Sequence, residues 1–223
     1  MALAVPDLAA RAGAVSPAGS LAGERLLPVV PALEGLFPGG GVRRGSTVAV
    51  AGSTSLALAV LAGPSAAGSW CAAVGLPALG LLAAAEMGMA LDRLALVPAP
   101  GSEWPTVVAA MLDALDVVVV GTGTGEGRRV RPADARRLVA RARERGAVLV
   151  VLGAWEGADL RLSVVGAAPR QSQWQWQWRG LGAGHGHLQA RRVEVMAEGR
   201  GAASRPRRRR LWLPAEGGGV EPA

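Results

Sequence analysis

Hydrophobic residues between positions 46 and 153 form short continuous runs that alternate with stretches of helical periodicity. The runs predict five buried strands, at 46–52, 69–75, 93–98, 116–121 and 147–153. The intervening stretches predict helices near 54–62, 78–91, 102–115 and 132–146, the last of which begins at a proline and ends at a glycine. Short apolar strands that alternate with helices are typical of a parallel sheet covered on both faces.

The pattern changes after residue 158, where strand-like pieces follow one another without helices between them. Four such pieces lie within 159–213: LRLSVVG, WQWQW, RRVEVMA and RRLWLP. We therefore predict an α/β fold in which a parallel sheet flanked by helices continues into a C-terminal antiparallel β extension. The expected organisation is a flexible N-terminal segment at 1–30, a core at 31–168, a basic, tryptophan-containing extension at 169–213 and a disordered tail at 214–223.

Charge is distributed unevenly along the chain. All 24 basic residues are arginine, and the net charge is +7. Residues 1–127 contain five arginines and nine acidic residues, whereas residues 128–223 contain nineteen arginines and eight acidic residues. A basic half indicates an anionic partner, either nucleic acid or an acidic protein surface. The alternative is that arginine keeps an alanine-rich chain in solution.

Several classes of protein are disfavoured by the composition. A single cysteine, Cys71, excludes an internal disulfide, and the pair His185 and His187 without a second cysteine does not make a structural zinc site. Residues 55–85 carry no charge, but proline and glycine interrupt the run, so we expect no membrane span. The N-terminus lacks the basic segment of a secretory signal, and we expect a cytoplasmic location, with association with the nucleoid left open.

A phosphate loop is missing after the first strand. In nucleotide-binding α/β proteins with this layout, that strand leads into GxxxxGK[ST], whose lysine and backbone N–H groups hold the phosphates. Here the strand at 48–52 runs through Ser53 and Thr54 straight into a helix, and the chain contains no lysine. The segment is too short to wrap a phosphate chain.

The fourth strand also lacks the carboxylate that would sit beside Mg²⁺. It ends at Gly121, and Asp116 stands at its opposite end, where we expect a turn residue. The glycine-rich run at 121–127 misses the spacing GxGxxG, because Glu126 replaces the third glycine. We therefore predict no catalytic, nucleotide-binding or metal-binding residues, no cofactor and no enzymatic activity.

Several stretches of the chain resemble a known family. PALEGLFPGGGVRRGSTVAVAG at 31–52 is similar to the beginning of a RecA-like core, and the order of elements continues the likeness as far as 149–153. RGLGAGHGHLQARRVEV at 179–195 and RPRRRRLWLP at 205–214 extend it to the C-terminal region. Together they resemble the RecA-like accessory proteins of bacterial inducible-mutagenesis cassettes, in their actinobacterial form, a family related to the SulA cell-division inhibitors.

The resemblance implies a sheet order of 5-1-4-3-2 for the core strands. RecA proteins carry a catalytic glutamate after the second strand, and the matching stretch at 75–81 contains no acidic residue. The resemblance therefore implies a fold retained for binding, as a non-catalytic adaptor in DNA-damage-induced mutagenesis that supports an error-prone translesion polymerase complex.

The implied partners are a Y-family-like polymerase homologue and a second replicative-type polymerase subunit. DNA is a further candidate partner, and the oligomeric state is left open. Two alternatives belong to other classes: a SulA-like inhibitor that blocks the cell-division GTPase, and a recombinase paralogue that binds DNA without sequence specificity.

Two groups of arginines are candidates for contact with DNA. Arg128, Arg129 and Arg131 follow the fourth strand, where by resemblance the RecA loop touches DNA. The second group is the run Arg207, Arg208, Arg209 and Arg210. Alternatively, the first group belongs to a solvated surface loop and the second flanks an edge strand. The helix at 132–145 presents further arginines, for which a solvated face is favoured over an anion-binding face.

Tryptophans and leucines of the extension are candidates for docking a partner protein. The run QSQWQWQW at 171–178 alternates strictly, so Trp174, Trp176 and Trp178 share one face at strand period. Tryptophan is favoured at interface hot spots, and the late arginine run continues into a further apolar group, Leu211, Trp212 and Leu213. The alternatives are that the tryptophans cover a sheet edge of this chain, or that they stack on single-stranded bases.

Overall fold

The computed structural model of the chain describes residues 26–121, 130–165, 177–182 and 185–223. Within them, β1 (Leu26–Pro28) and β2 (Gly41–Arg43) form a small antiparallel pair. Six strands that pair in parallel follow: β3 (Thr47–Ala51), β4 (Cys71–Val74), β5 (Leu94–Val97), β6 (Val117–Gly121), β7 (Val148–Leu152) and β8 (Leu160–Val164). Antiparallel strands continue the same sheet: β9 (Gln177–Gly182), β10 (His185–Gly199), β11 (Arg207–Trp212) and β12 (Glu221–Pro222).

Four described helices accompany the parallel strands: α1 (Thr54–Ala66), α2 (Leu81–Glu86), α3 (Trp104–Ala114) and α4 (Pro132–Arg145). Short 3-10 turns lie at Pro31–Leu36, Pro38–Gly40, Leu91–Arg93, Gly101–Glu103 and Gly201–Ala203. Local signals set the helix ends. A proline occupies the first turn of both α3 and α4, where its missing N–H costs no hydrogen bond. Gly146 ends α4 in the left-handed conformation, with φ 67°.

The predicted fold class is confirmed, but the predicted strand order is wrong. The parallel strands lie in the order β8-β3-β7-β6-β4-β5, which is 6-1-5-4-2-3 when they are numbered along the chain. The strand-like piece at 160–164 falls within the predicted core at 31–168 but was expected to pair only antiparallel; β8 pairs antiparallel with β10 and in parallel with β3. The chain at 153–159 crosses back to the N-terminal end of β3. There the Asp159 carboxylate accepts a hydrogen bond from the Thr47 N–H at 2.9 Å. This crossover makes β8 a sixth core strand.

The two faces of the sheet carry different cores. Val48 and Val50 of β3 point into a core built from α1, the 31–37 segment and one side of β10 and β11. Ala49 points to the opposite side, where α3, α4 and Trp155 pack. We call the first side the inner face and the second the outer face. Strands β4, β6 and β7 contribute apolar side chains to both faces, as expected for parallel strands between two helical layers.

The C-terminal segment 214–223 is folded, so the prediction of a disordered tail is wrong. Ala215 is fully buried, and β12 pairs with β11. Gly218 approaches the end of α2 so closely that a Cβ there would lie 2.9 Å from the carbonyl oxygen of Glu86. Composition does not reveal a close backbone approach of this kind, which only glycine permits.

The N-terminal segment is likewise ordered where the structure describes it. The sequence predicts flexibility for 1–30, yet Leu26–Pro28 forms β1, and Leu27 and Val29 are buried in the inner core. Gly63 of α1 permits this segment to approach closely, because a Cβ at position 63 would collide with the Val29 backbone. The remainder of that prediction, residues 1–25, lies outside the described residues.

Candidate functional site

The turn between β3 and α1 occupies the place where a phosphate loop would begin. Only Gly52 and Ser53 separate the end of β3 from the beginning of α1. The Ser53 Oγ accepts a hydrogen bond from the Leu56 N–H at 3.1 Å, and the Ser53 carbonyl accepts one from the Ala57 N–H at 3.3 Å. Ser53 therefore caps the helix with its own side chain, in a turn of two residues that has no room for a phosphate-wrapping loop.

An arginine from the extension reaches this turn. The Arg191 Nη2 lies 3.4 Å from the Ser53 Oγ, and its Nε donates a hydrogen bond to the Leu213 carbonyl at 3.2 Å. Burial lowers the pKa of the Arg191 guanidinium below its usual value. Two backbone hydrogen bonds also join Arg191 to the 213–214 segment. The C-terminal extension is thus fastened to the beginning of α1.

Packing around the end of β6 leaves no room for a carboxylate side chain unless neighbouring residues move. A Cβ at Gly121 would lie 2.7 Å from the carbonyl oxygen of Gly75 and 2.5 Å from the Leu76 Cδ2. Both distances are shorter than real Cβ contacts, so any side chain at this position would displace the neighbouring backbone. The glycine that the sequence places at this strand end is required by packing against the segment after β4.

Asp116 lies at the other end of β6, and its carboxylate has hydrogen-bond partners within the fold. The Asp116 carboxylate accepts hydrogen bonds from the Arg44 Nη1 at 2.8 Å and from the Trp70 N–H at 3.0 Å. It therefore joins the segments that precede β3 and β4. This agrees with the expectation that Asp116 is a turn residue.

The run Arg207–Arg210 does not form a single basic cluster, because strand alternation divides it between the two faces. Arg208 and Arg210 lie on the outer face, where both approach the Glu194 carboxylate, at 3.3 and 3.6 Å. Arg209 lies opposite Val195 and points to the inner face, where its guanidinium packs on Gly35 so closely that a side chain there would collide with it. Arg207 lies opposite the buried Ala197 on the same face.

The other predicted arginines belong to another element or lie outside the described residues. Arg131 is exposed and occupies the N-cap position of α4 without a capping hydrogen bond from its side chain. Arg131 precedes α4, whereas Arg207–Arg210 belong to β11, so the two predicted DNA-contacting groups lie on different elements of the fold. Arg128 and Arg129 lie outside the described residues.

The predicted docking residues also divide. Leu211 and Leu213 are buried in the inner core, so the prediction that they dock a partner is wrong. Their positions alternate with the half-buried Trp212, which the same periodicity places on the outer face. Trp178 belongs to β9, and its backbone pairs with Arg191, while Trp174 and Trp176 lie outside the described residues.

The structure assembles a basic surface that sequence reasoning missed. Outward-pointing residues of four neighbouring strands define this surface, which we call the outer extension face: Arg161, Arg179, Arg192, Glu194, Met196, Glu198, Arg208, Arg210 and Trp212. The Arg179 guanidinium carbon lies 4.3 Å from the centroid of the Trp212 ring. The signal was present in the alternation of each strand, but the pairing of β8, β9 and β11 around β10 could not be predicted from it.

Over 26–121, 130–165, 177–182 and 185–223, no helix is both long and apolar enough to cross a bilayer. Nor do three or more His, Cys, Asp or Glu side chains in these ranges come together in an arrangement that could hold a metal ion.

The parallel sheet, its helical layers and its crossovers define a RecA-like α/β protein. The structure is similar to the crystal structure of the RadB recombinase, with a TM-score of 0.58 and 18% identity over 86% of this chain and 96% of that one. At this identity the similarity shows the fold alone. The RecA-like fold implied by the sequence resemblance is thereby confirmed.

A family model gives a more specific assignment than the fold alone. Residues 35–157 match the model of the MT3502 N-terminal domain, and the chain belongs to that family. It is 47% identical over 120 residues to a Mycobacterium tuberculosis (strain ATCC 25618 / H37Rv) protein described as uncharacterized protein Rv3395c. The matched segment spans 53% of this chain and 57% of that protein.

Proposed function

We propose that this protein is a non-catalytic RecA-like adaptor in DNA-damage-induced mutagenesis, where it supports an error-prone translesion polymerase complex in the cytoplasm. The proposal combines the sequence resemblance with the geometry of the strand ends. The observation that carries it is the closed two-residue turn between β3 and α1, with Ser53 as the helix cap and Arg191 beside it. A fold that lacks the phosphate-binding turn but keeps its sheet is suited to binding rather than to nucleotide turnover.

Partner contacts are expected from the C-terminal part of the chain. The resemblance implies a Y-family-like polymerase homologue and a second replicative-type polymerase subunit as partners. The tryptophan run at 171–178 remains the proposed docking segment, and Trp212 is the member of the late apolar group that is not fully buried. Large aromatic side chains supply much of the binding energy at protein interfaces, which supports this assignment.

Two other functions stay as alternatives. The family resemblance also includes the SulA inhibitors, so a regulator of the cell-division GTPase is the first alternative. The basic outer extension face favours the second, a recombinase paralogue whose main activity is non-specific DNA binding. Each alternative predicts a different molecule bound to the purified chain.

Capture from DNA-damaged cells tests the proposal. A tagged full-length chain is expressed at its natural level, and the co-purified proteins are identified by mass spectrometry, with undamaged cells as the control. We expect the polymerase homologue and the replicative-type subunit to be enriched after damage. Enrichment of the cell-division GTPase without either polymerase would contradict the adaptor function and support the SulA-like alternative.

A further inference from the structure

The outer extension face differs in charge from the rest of the sheet. Five of its residues are arginine and two, Glu194 and Glu198, are acidic. Glu194 is shared between Arg208 and Arg210, whose side chains remain 63% and 67% exposed. A guanidinium carries five N–H donors, so each arginine keeps donors for a further anion after one contact with a carboxylate. The face is thus an exposed array of partly ordered cations.

The pairing of β8, β10 and β11 sets the spacing of the cations on the outer extension face. β8, β10 and β11 are adjacent, so their outward residues span about 10 Å across the strands. Glu198 lies opposite Arg161 on β8 and Glu194 lies opposite Arg210 on β11, so the acidic residues stay in the central strand with arginines on both flanking strands. The Arg179–Trp212 pair stands at the end of β11, where the guanidinium is held over the ring.

We propose that the outer extension face binds single-stranded DNA without sequence specificity. The arginines of β8 and β11 contact successive phosphates, and the Arg179–Trp212 pair offers a flat surface on which a base stacks. A flat sheet meets duplex DNA along one backbone only, whereas a single strand can lie on it with both phosphates and bases in contact. This inference rests on the proposed function, because a translesion complex works where single-stranded template is exposed.

The two faces of β11 provide a matched test. The double substitution Arg208→Ala with Arg210→Ala removes two arginines from the outer face. The control, Arg207→Ala with Arg209→Ala, removes the same charge from the same strand on the inner face. Binding is measured by fluorescence anisotropy with a labelled oligothymidylate of about 20 nucleotides, between about 50 and 200 mM salt.

We expect the outer double variant to lower the log–log salt slope by about 1.4, which corresponds to about 25-fold weaker binding near 0.1 M salt. The inner double variant should keep the slope of the unchanged protein. Circular dichroism melting of both variants monitors folding, and a variant that fails to fold is replaced by the glutamine double substitution at the same two positions, which removes the charge but keeps a polar side chain. Restored slope with lysine at 208 and 210 would support phosphate contact, since a compact ammonium still neutralises phosphate.

Other outcomes overturn the inference. Equal loss in the two double variants would mean that overall charge, not the outer extension face, binds DNA. Tighter binding to duplex than to the oligothymidylate would contradict a single-stranded ligand, and competition by polyglutamate as strong as by DNA would point to an acidic protein instead. These results leave partner capture from damaged cells unaffected, so failure here and failure of the adaptor function can be told apart.

Discussion

The parallel half of the sheet and its antiparallel extension use their outer faces differently. Across β4, β6 and β7 the outer face is apolar and buried beneath α3 and α4. Across β8, β10 and β11 the same face carries arginine, glutamate, methionine and a half-buried tryptophan. The inner face contributes to one apolar core in both halves, and in the extension Arg191, Arg207 and Arg209 also point to that side. The extension therefore shares one core with the RecA-like domain, while among the described residues its outer side carries exposed charged side chains.

The largest expected effect separates the two sides of β11. Leu211→Ala removes a buried side chain from the inner core and should lower the free energy of unfolding by about 2–5 kcal/mol. Arg210→Ala, one residue earlier on the outer face, should change it by less than about 1 kcal/mol, because an exposed ion pair contributes little. Urea unfolding of the two variants measures the difference. Similar losses would mean that the two faces are not distinct.

A second substitution tests the strand end in the parallel half. Gly121→Asp restores a carboxylate at the end of β6 but forces a Cβ against the Gly75 carbonyl, so we expect a loss of stability of about 1–3 kcal/mol. Gly217→Ala serves as the control, since nothing lies within 4 Å of a Cβ there. Chemical unfolding compares them. A Gly121→Asp protein as stable as the control would show that packing does not require glycine at this position.

A substitution in the tryptophan run tests whether this segment binds a partner or packs within the chain. If Trp176 belongs to an interface, Trp176→Ala should weaken partner capture by about 2 kcal/mol or more and leave the melting temperature nearly unchanged. If it is packed within the chain, the same change should destabilise the fold by about 3–5 kcal/mol. Thermal unfolding and capture from damaged cells are measured on the same preparation. A large loss of stability with capture retained would place this tryptophan in the core.

The smallest expected effect concerns the ion pair between Asp113 of α3 and Arg141 of α4, the two helices that cover the outer face of the parallel half. The hydrogen bond from Arg141 in α4 lowers the pKa of the Asp113 carboxyl in α3, and Arg145 adds to the effect. Because the pKa is depressed by folding, the stabilisation is present above the usual pKa of aspartate and is lost as the pH falls through the depressed value. Asp113→Asn should therefore flatten slightly the decrease of melting temperature between pH 7 and acidic pH. An unchanged pH profile would show that this pair contributes no stability.

The fold was largely predictable because apolar runs and helix ends carry local signals. The proline at the beginning of α4 and the glycine after its end set that helix within one residue of the prediction. Long-range pairing was not predictable: the parallel pairing of β8 with β3 joins residues more than 100 positions apart, such as Asp159 and Thr47, 112 residues apart in sequence. The folded segment 214–223 includes the close approach of Gly218 to Glu86, which no local pattern encodes.

The candidate site was predicted in part for the same reason. The missing phosphate loop and the missing strand-end carboxylate are local features of the sequence, visible at Ser53 and Gly121 respectively. The division of the arginine run followed from strand period, but Arg209 and Arg210 could be assigned to faces only once Leu211 was known to be buried. Arg161 and Arg179 join the outer extension face through pairing alone, so sequence reasoning had no means of finding them.

ATP binding by the purified chain distinguishes a closed phosphate site from a working one. The closed turn at Ser53 and the packed glycine at 121 lead us to expect no saturable binding of ATP by the purified full-length chain. Equilibrium dialysis with labelled ATP and Mg²⁺ measures it, and a hydrolysis assay on the same sample measures turnover. The account predicts a bound fraction no greater than that of a dialysis cell without protein. Saturable binding in the micromolar range, or hydrolysis above the blank, would contradict it.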